Sequence, residues 1–223
     1  MFKKMELKSS KITLAIETAV GGGSLSLFKD QLIIDRWVGE REVSRSEELL
    51  EAVLTILNRN GLKSGDLDII AVSCGPGSYT GLRIGLATTI GLKNGLNIKC
   101  FGISILECFY YEFEKENIPF ITAVSFGKSE VFYQAFEQLH NRNSLVETKP
   151  EKVSFENFIQ LKNNYSDIAL AVNQKLYTEL KKRFTVKKMY VSNAGVNLSD
   201  YIGKYVINGN GSDNLNAFYY PPS

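Results

Sequence analysis

Cys74-Gly75-Pro76-Gly77-Ser78-Tyr79-Thr80-Gly81-Leu82-Arg83-Ile84-Gly85 is the stretch on which the reading of the fold turns. The apolar run from Asp68 to Cys74 leads into it as a strand, and helical spacing continues from about Ser78 to Leu96. Strand, glycine loop and helix outline a phosphate loop, but the spacings fail. The dinucleotide fingerprint GxGxxG needs a glycine at position 80, which is Thr80. A P-loop needs Gly-Lys-Ser/Thr five residues after its first glycine, and neither Gly75 nor Gly77 supplies it. The elbow GxSxG needs glycine two residues before the serine, where Pro76 stands. What remains is an unusual run of glycines. Gly77, Gly81 and Gly85 recur every four residues and share one helix face. Glycine inside a helix costs about 1 kcal/mol against alanine, and Gly81, Gly85, Gly91 and Gly95 all fall in this one. Something approaches that backbone closely: the helix's own sheet, or a helix of a partner chain.

Upstream of the loop the pattern is a meander. Ile12 to Ile16, Ser24 to Phe28 and Leu32 to Val38 read as strands, with Gly21-Gly22-Gly23 turning the first into the second. Ser44 and Glu47 then have capping-box spacing, Leu49, Leu50, Val53, Leu54 and Leu57 follow at helical spacing, and Gly61 suits the position just past the helix end. Downstream, Ile98 to Ile103 is a strand, and Ser104 with Glu107 caps a helix ending near Asn117. Phe120 to Ser125 and Glu130 to Leu139 form a hairpin about Phe126-Gly127-Lys128. Residues 154–161, 174–183 and 192–205 follow as helices and 167–172 as a strand. A hairpin followed by alternating helices and strands, begun twice, gives an α/β protein of two related lobes: 1–110, 111–208, and a frayed tail over 209–223.

Composition narrows the chemistry. In 223 residues, 26 Lys and Arg stand against 24 Asp and Glu, and 44% of residues are hydrophobic. Disorder and coiled coil are excluded, and a net charge of +2 does not by itself signal nucleic-acid binding. The one histidine, His140, lies in the polar turn Leu139-His140-Asn141-Arg142-Asn143. Two-histidine metal sites and HExxH proteases are therefore excluded. Cys74, Cys100 and Cys108 form no CxxC pair and read as buried, reduced thiols. Lys3, Lys4, Lys8 and Lys11 precede an apolar run as in a signal peptide, but Glu17 interrupts it, and no apolar stretch reaches the ~20 residues of a membrane span. The expectation is a cytoplasmic protein with no membrane contact.

The run Gly75 to Gly85 resembles the signature of the bacterial TsaB (YeaZ) family, GPGSFTGLRIG, with Tyr79 where the family has Phe. Leu14-Ala15-Ile16-Glu17-Thr18 and Arg45-Ser46-Glu47-Glu48-Leu49-Leu50 extend the likeness over roughly residues 11–139. The resemblance implies a two-lobed actin-like and sugar-kinase-like fold, each lobe a mixed sheet with packed helices. It also implies a part in making threonylcarbamoyladenosine on tRNAs that read codons starting with A. In that family TsaB is a non-catalytic subunit. It pairs with TsaD, a paralogue that binds the metal and transfers the threonylcarbamoyl group, and the ATPase TsaE joins them. A homodimer on the same surface, contact with tRNA only through the complex, and a nucleotide only at the partner interface are further implications. The sequence departs from the family at Arg45 (often His), at Glu17 (often Asp), and at Ser125-Phe126-Gly127-Lys128, where an Asp-Ala-Arg-like run is usual.

The residues support the non-catalytic role in their own way. Actin-like ATPases carry phosphate-binding hairpins in both lobes with acids that position Mg²⁺, whereas Val124-Ser125-Phe126-Gly127-Lys128-Ser129 has none. A stand-alone glycoprotease-like peptidase or ATPase is the competing enzyme reading. An RNA-binding module, drawing on Lys181-Lys182-Arg183 with Lys187 and Lys188 beside Phe184 and Tyr190, is the competing binding reading. The expected partner contacts are Leu49, Leu50, Val53 and Leu57 on the first helix. On the second they are Thr80, Gly81, Arg83, Ile84, Gly85 and Thr88, with the glycine groove admitting a partner helix.

Overall fold

The structure, a computed structural model, describes residues 10–20, 22–39, 46–113, 118–126, 129–138, 145–164, 168–183, 188–191 and 197–217. Strands that are buried along most of their length, with an alternating β3 at one edge, build two mixed sheets. The first has the order β3-β2-β1-β4-β5, from β1 (Ile12–Glu17), β2 (Ser24–Lys29), β3 (Leu32–Val38), β4 (Ile69–Gly75) and β5 (Lys99–Ser104). β1 runs antiparallel to β2 and parallel to β4. The second sheet repeats this plan. Its hairpin is β6 (Phe120–Phe126) and β7 (Glu130–Gln138), and β10 (Ala169–Val172) and β11 (Met189–Val191) add in parallel beside β6. Both expected hairpins and the three crossover strands expected at 68–74, 98–103 and 167–172 thus fall where periodicity placed them. β8 (Leu145–Glu147) and β9 (Glu151–Ser154), like β11, are three or four residues long, and the sequence pattern does not mark them.

Helices α1 (Ser46–Arg59) and α2 (Tyr79–Leu96) cover one face of the first sheet. Leu49, Val53, Ile56, Leu57 and Leu86 pack there on Leu14, Ile16, Leu25 and Leu27. Gly61 sits just past α1 at φ +68°, and the Leu62 amide donates back to the Leu57 carbonyl, as the cap requires. The expected Ser44 cap lies outside the described residues. α3 (Ile105–Phe113) stands between the sheets: its Cys108 meets Ala15 and Ala71, while Tyr110 stacks on Phe136 at 4.5 Å. α4 (Phe155–Asn164) and α5 (Gln174–Lys181) bury Phe158, Leu176 and Leu180 against the second sheet. Among the described residues no helix is long and apolar enough to cross a membrane.

Two boundaries differ from the sequence reading. α6 (Leu198–Ile207), expected inside a second lobe of 111–208, lies on the first sheet. Ser199 and Asp200 bond to Ser26, Arg36 reaches both Asp200 oxygens, and Gly203 leaves room for the ring of Phe28. The apolar stripe of α6 fits the face that α1 and α2 leave open, so the chain returns to its first lobe. Nor is the tail frayed over 209–217. Gly102 and Ser212 exchange both backbone hydrogen bonds, at 2.7 and 3.1 Å, and Leu215 and Ala217 pack on the first core. The exposed edge of β5 offers unpaired backbone groups that this segment satisfies. Truncation after Asn208 removes those two bonds and the packing of Leu215, about 1–2 kcal/mol. A melting temperature lower by several degrees, with faster amide exchange at Gly102, is the expected outcome.

Candidate functional site

The glycine loop is fastened to the turn that follows β1. The Thr18 hydroxyl donates to the Gly81 carbonyl at 2.7 Å, and the Ser78 amide donates to the Ala19 carbonyl at 2.8 Å. Ser78 caps α2 by accepting from the Gly81 amide at 3.2 Å. Gly75, at φ +102°, turns the chain out of β4 in a conformation side chains rarely adopt. A Cβ on Gly77 would lie 2.5 Å from the Ala19 oxygen. On Gly81 it would overlap the Thr18 carbonyl oxygen, and on Gly85 the Thr18 hydroxyl. The line Gly77–Gly81–Gly85 is therefore filled by the chain's own β1–β2 turn, which corrects the expected partner groove. Leu49, Val53 and Leu57 are likewise fully buried in the first core, with Ile84 packed at its margin.

The turn also presents two backbone amides, and Glu17 occupies them. Its Oε1 accepts from Ala19 N at 2.5 Å and from Val20 N at 2.9 Å. Amides in such a concavity suit a phosphate or carboxylate; here the anion seat holds a carboxyl from the same turn. Burial pushes Glu17 up to about 8, against the lowering effect of those two donors. Cys74 is no better placed for chemistry, because burial raises its thiol to about 11. All three cysteines are free and buried. Among the described residues no group of three His, Cys, Asp or Glu is arranged to hold a metal ion. His140, Arg45 and the Gly127-Lys128 turn lie outside the described residues.

The outward faces of α1 and α2 carry a different set. Leu50 and Leu54 on α1 and Tyr79 and Ile90 on α2 are each 43–50% exposed. Thr80, Arg83 and Ala87 are exposed between them, Thr88 is half-buried, and the Arg83 guanidinium lies 4.0 Å over the Tyr79 ring. Nothing lies within 4 Å of where a Cβ would sit on Gly91 or Gly95, so Ala87, Gly91 and Gly95 form an open small-residue line on this face. Of the expected contacts, Leu50, Thr80 and Arg83 belong to it. Leu54, Tyr79, Ala87 and Ile90 were missed, although their spacing of four, eight and eleven from Leu50 or Tyr79 marks them as one face.

Gly81→Ala should unfold or strongly destabilise the chain, since the neighbour is backbone that cannot move aside. Gly91→Ala should raise the melting temperature by about 2–4 °C, as expected for ~1 kcal/mol at an open helix site in a chain of this size. Calorimetry on both variants checks this pair. For Glu17 the folded state keeps the proton to about 8 while the unfolded carboxyl releases it near 4.5. Stability therefore falls as pH rises between those values and levels off above them. The gain in melting temperature from Glu17→Gln should grow from near zero at pH 4.5 to a plateau past pH 8.

Residues 41–207, three quarters of the chain, match the family model described as "TsaD: tRNA N6-adenosine threonylcarbamoyltransferase". The chain is 28% identical over 148 residues to the "tRNA threonylcarbamoyladenosine biosynthesis protein TsaB" of Escherichia coli, covering 63% of each. It is 33% identical over 94 residues to the Bacillus subtilis protein of that name, covering 42% of this chain and 41% of that one. An uncharacterized Mycobacterium tuberculosis protein is 32% identical over 96 residues, 46% of its length, so the chain spans about half the length of the curated relatives it matches. Among solved structures, "YeaZ from Pseudomonas aeruginosa" superposes with a TM-score of 0.63 at 16% identity, covering 94% of this chain and all of that one. A Bacteroides thetaiotaomicron protein with an actin-like ATPase fold follows at 0.54 and 11%, again covering 94% and all. The two-lobed architecture is thus actin-like.

Proposed function

Since the chain belongs to the family of that model, and stands within it among the proteins named TsaB and YeaZ, we propose that it serves threonylcarbamoyladenosine biosynthesis on tRNA as a non-catalytic subunit. In this reading it binds and activates TsaD, which transfers the threonylcarbamoyl group to adenosine 37 of tRNAs reading codons that start with A. TsaE joins the pair, and the complex works in the cytoplasm. The observation that carries the reading is the open two-helix face of Leu50, Leu54, Ala87, Ile90 and Gly91. Large apolar side chains flank a small-residue line there, as a docked helix pair requires. Because TsaD is a paralogue, the same face would also pair two copies of this chain. Glu17 in the anion seat speaks for the absence of catalysis, since a nucleotide phosphate entering that turn would have to displace a buried carboxyl.

Leu54→Glu with Ile90→Glu places two charges in that face without touching the core. We expect unchanged circular dichroism and at least about tenfold weaker capture of TsaD. A folded double variant that still binds at wild-type strength would sink the assignment of this face. In a deletion strain, mass spectrometry of digested tRNA should find the modified nucleoside gone. The purified chain alone should show no ATP turnover that Glu17→Ala abolishes.

A further inference from the structure

Residues 174–191 carry Lys175, Lys181, Lys182, Arg183, Lys187 and Lys188 against one acid, Glu179. The local charge is +5 in a chain of +2, so the remaining residues sum to −3. The fold gathers most of these cations. β10 and β11 are parallel neighbours, with Leu170 N donating to Lys188 O at 3.0 Å, and α5 is the return between them. The end of α5 and the start of β11 therefore share one end of the second sheet, and Lys181, Lys182, Arg183 and Lys188 are all exposed there. Arg183 pairs with Glu156 and lies 5.1 Å over Phe155; the Lys181 ammonium sits 5.4 Å over the Tyr177 ring. Rings orient a cation without cancelling its charge. Among the described residues Lys181, Lys182 and Lys188 make no ion pair. The helix dipole accounts for a base in the last turn of α5, but its influence fades beyond that turn, and Lys182, Arg183 and Lys188 all lie past it.

We propose that this cluster is a phosphate-backbone contact for RNA, through which the second lobe grips the tRNA being modified. The proposal rests on the reading that the chain serves a tRNA-modifying complex. A lysine-rich patch suits that ligand, because ammonium groups act as point charges on phosphates and do not select bases. Such a contact serves every tRNA of the set, whose backbones share one shape while their sequences differ.

The test uses the chain assembled with TsaD and unmodified tRNA, in gel-shift titrations at several salt concentrations. The variant is Lys181→Glu, Lys182→Glu and Lys188→Glu together. Tenfold or greater loss of tRNA affinity, with melting temperature and TsaD pairing unchanged, is the expected result. The logarithmic salt slope should become shallower by about 2–3, at roughly 0.9 for each phosphate no longer neutralised. Should the triple reversal disturb folding, Lys181→Ala with Lys182→Ala probes the same patch through a slope change of about 1–2. Wild-type affinity and slope in a folded variant complex would overturn the patch alone. Lost pairing with TsaD at unchanged tRNA affinity would assign the patch to an acidic protein surface and equally overturn it. A wild-type complex that fails to form, or forms and binds no tRNA, would overturn the proposed function and this inference together.

Discussion

Thr18 gives its hydroxyl proton to the carbonyl of Gly81, and Ala19 accepts from the amide of Ser78, so two short bonds join the β1–β2 turn to the first turn of α2. The bonds form only if the helix backbone lies directly on the turn, which leaves no volume for side chains at 77, 81 and 85. That single approach fixes where α2 starts and how closely its first two turns lie on the β1–β2 turn. Leu82 extends the joint into the apolar layer between the sheets, where it meets Ala19, Phe109 and Phe132. A glycine signature that resembles a phosphate loop is thus the imprint of a helix welded to a hairpin.

The same turn shows what occupies the first hairpin of this actin-like frame. Its amides point at an acceptor oxygen, and the Glu17 carboxyl supplies it from the same turn. Full burial then favours the protonated form, so the seat is filled by a group that is neutral over much of the physiological range. The hairpin keeps its geometry for packing α2.

Periodicity made most of the frame legible. Ser24 to Phe28 alternates with period two, Gly61 and Ser78 mark helix ends, and both hairpins stand where the pattern places them. The return of α6 to the first sheet was not legible, because Ser26–Ser199 and Arg36–Asp200 join residues more than 160 positions apart and leave no local trace. The docked tail was hidden for a related reason: its anchor is backbone pairing at Gly102 and Ser212, which no side-chain pattern reveals. At the candidate site the helices were found but their faces were exchanged. Glycine spacing shows that something comes close without showing from which side, and only the position of Thr18 decides that.

The two sides of α2 respond to glycine in opposite ways. On the inner line a Cβ meets backbone and the helix must leave its seat; on the outer line it meets open space, so alanine at 91 or 95 would stabilise the isolated chain. Glycines at exposed helical positions with nothing above them are unfavourable for the monomer taken alone, in both helix propensity and solvent exposure of Leu50, Leu54 and Ile90 beside them. Both costs reverse once a second surface lies on this face, because missing side chains then admit a close backbone and the leucines leave water. The outer face of α2 is therefore better suited to a bound state than to a free one, while its inner line is already filled by the turn at Thr18.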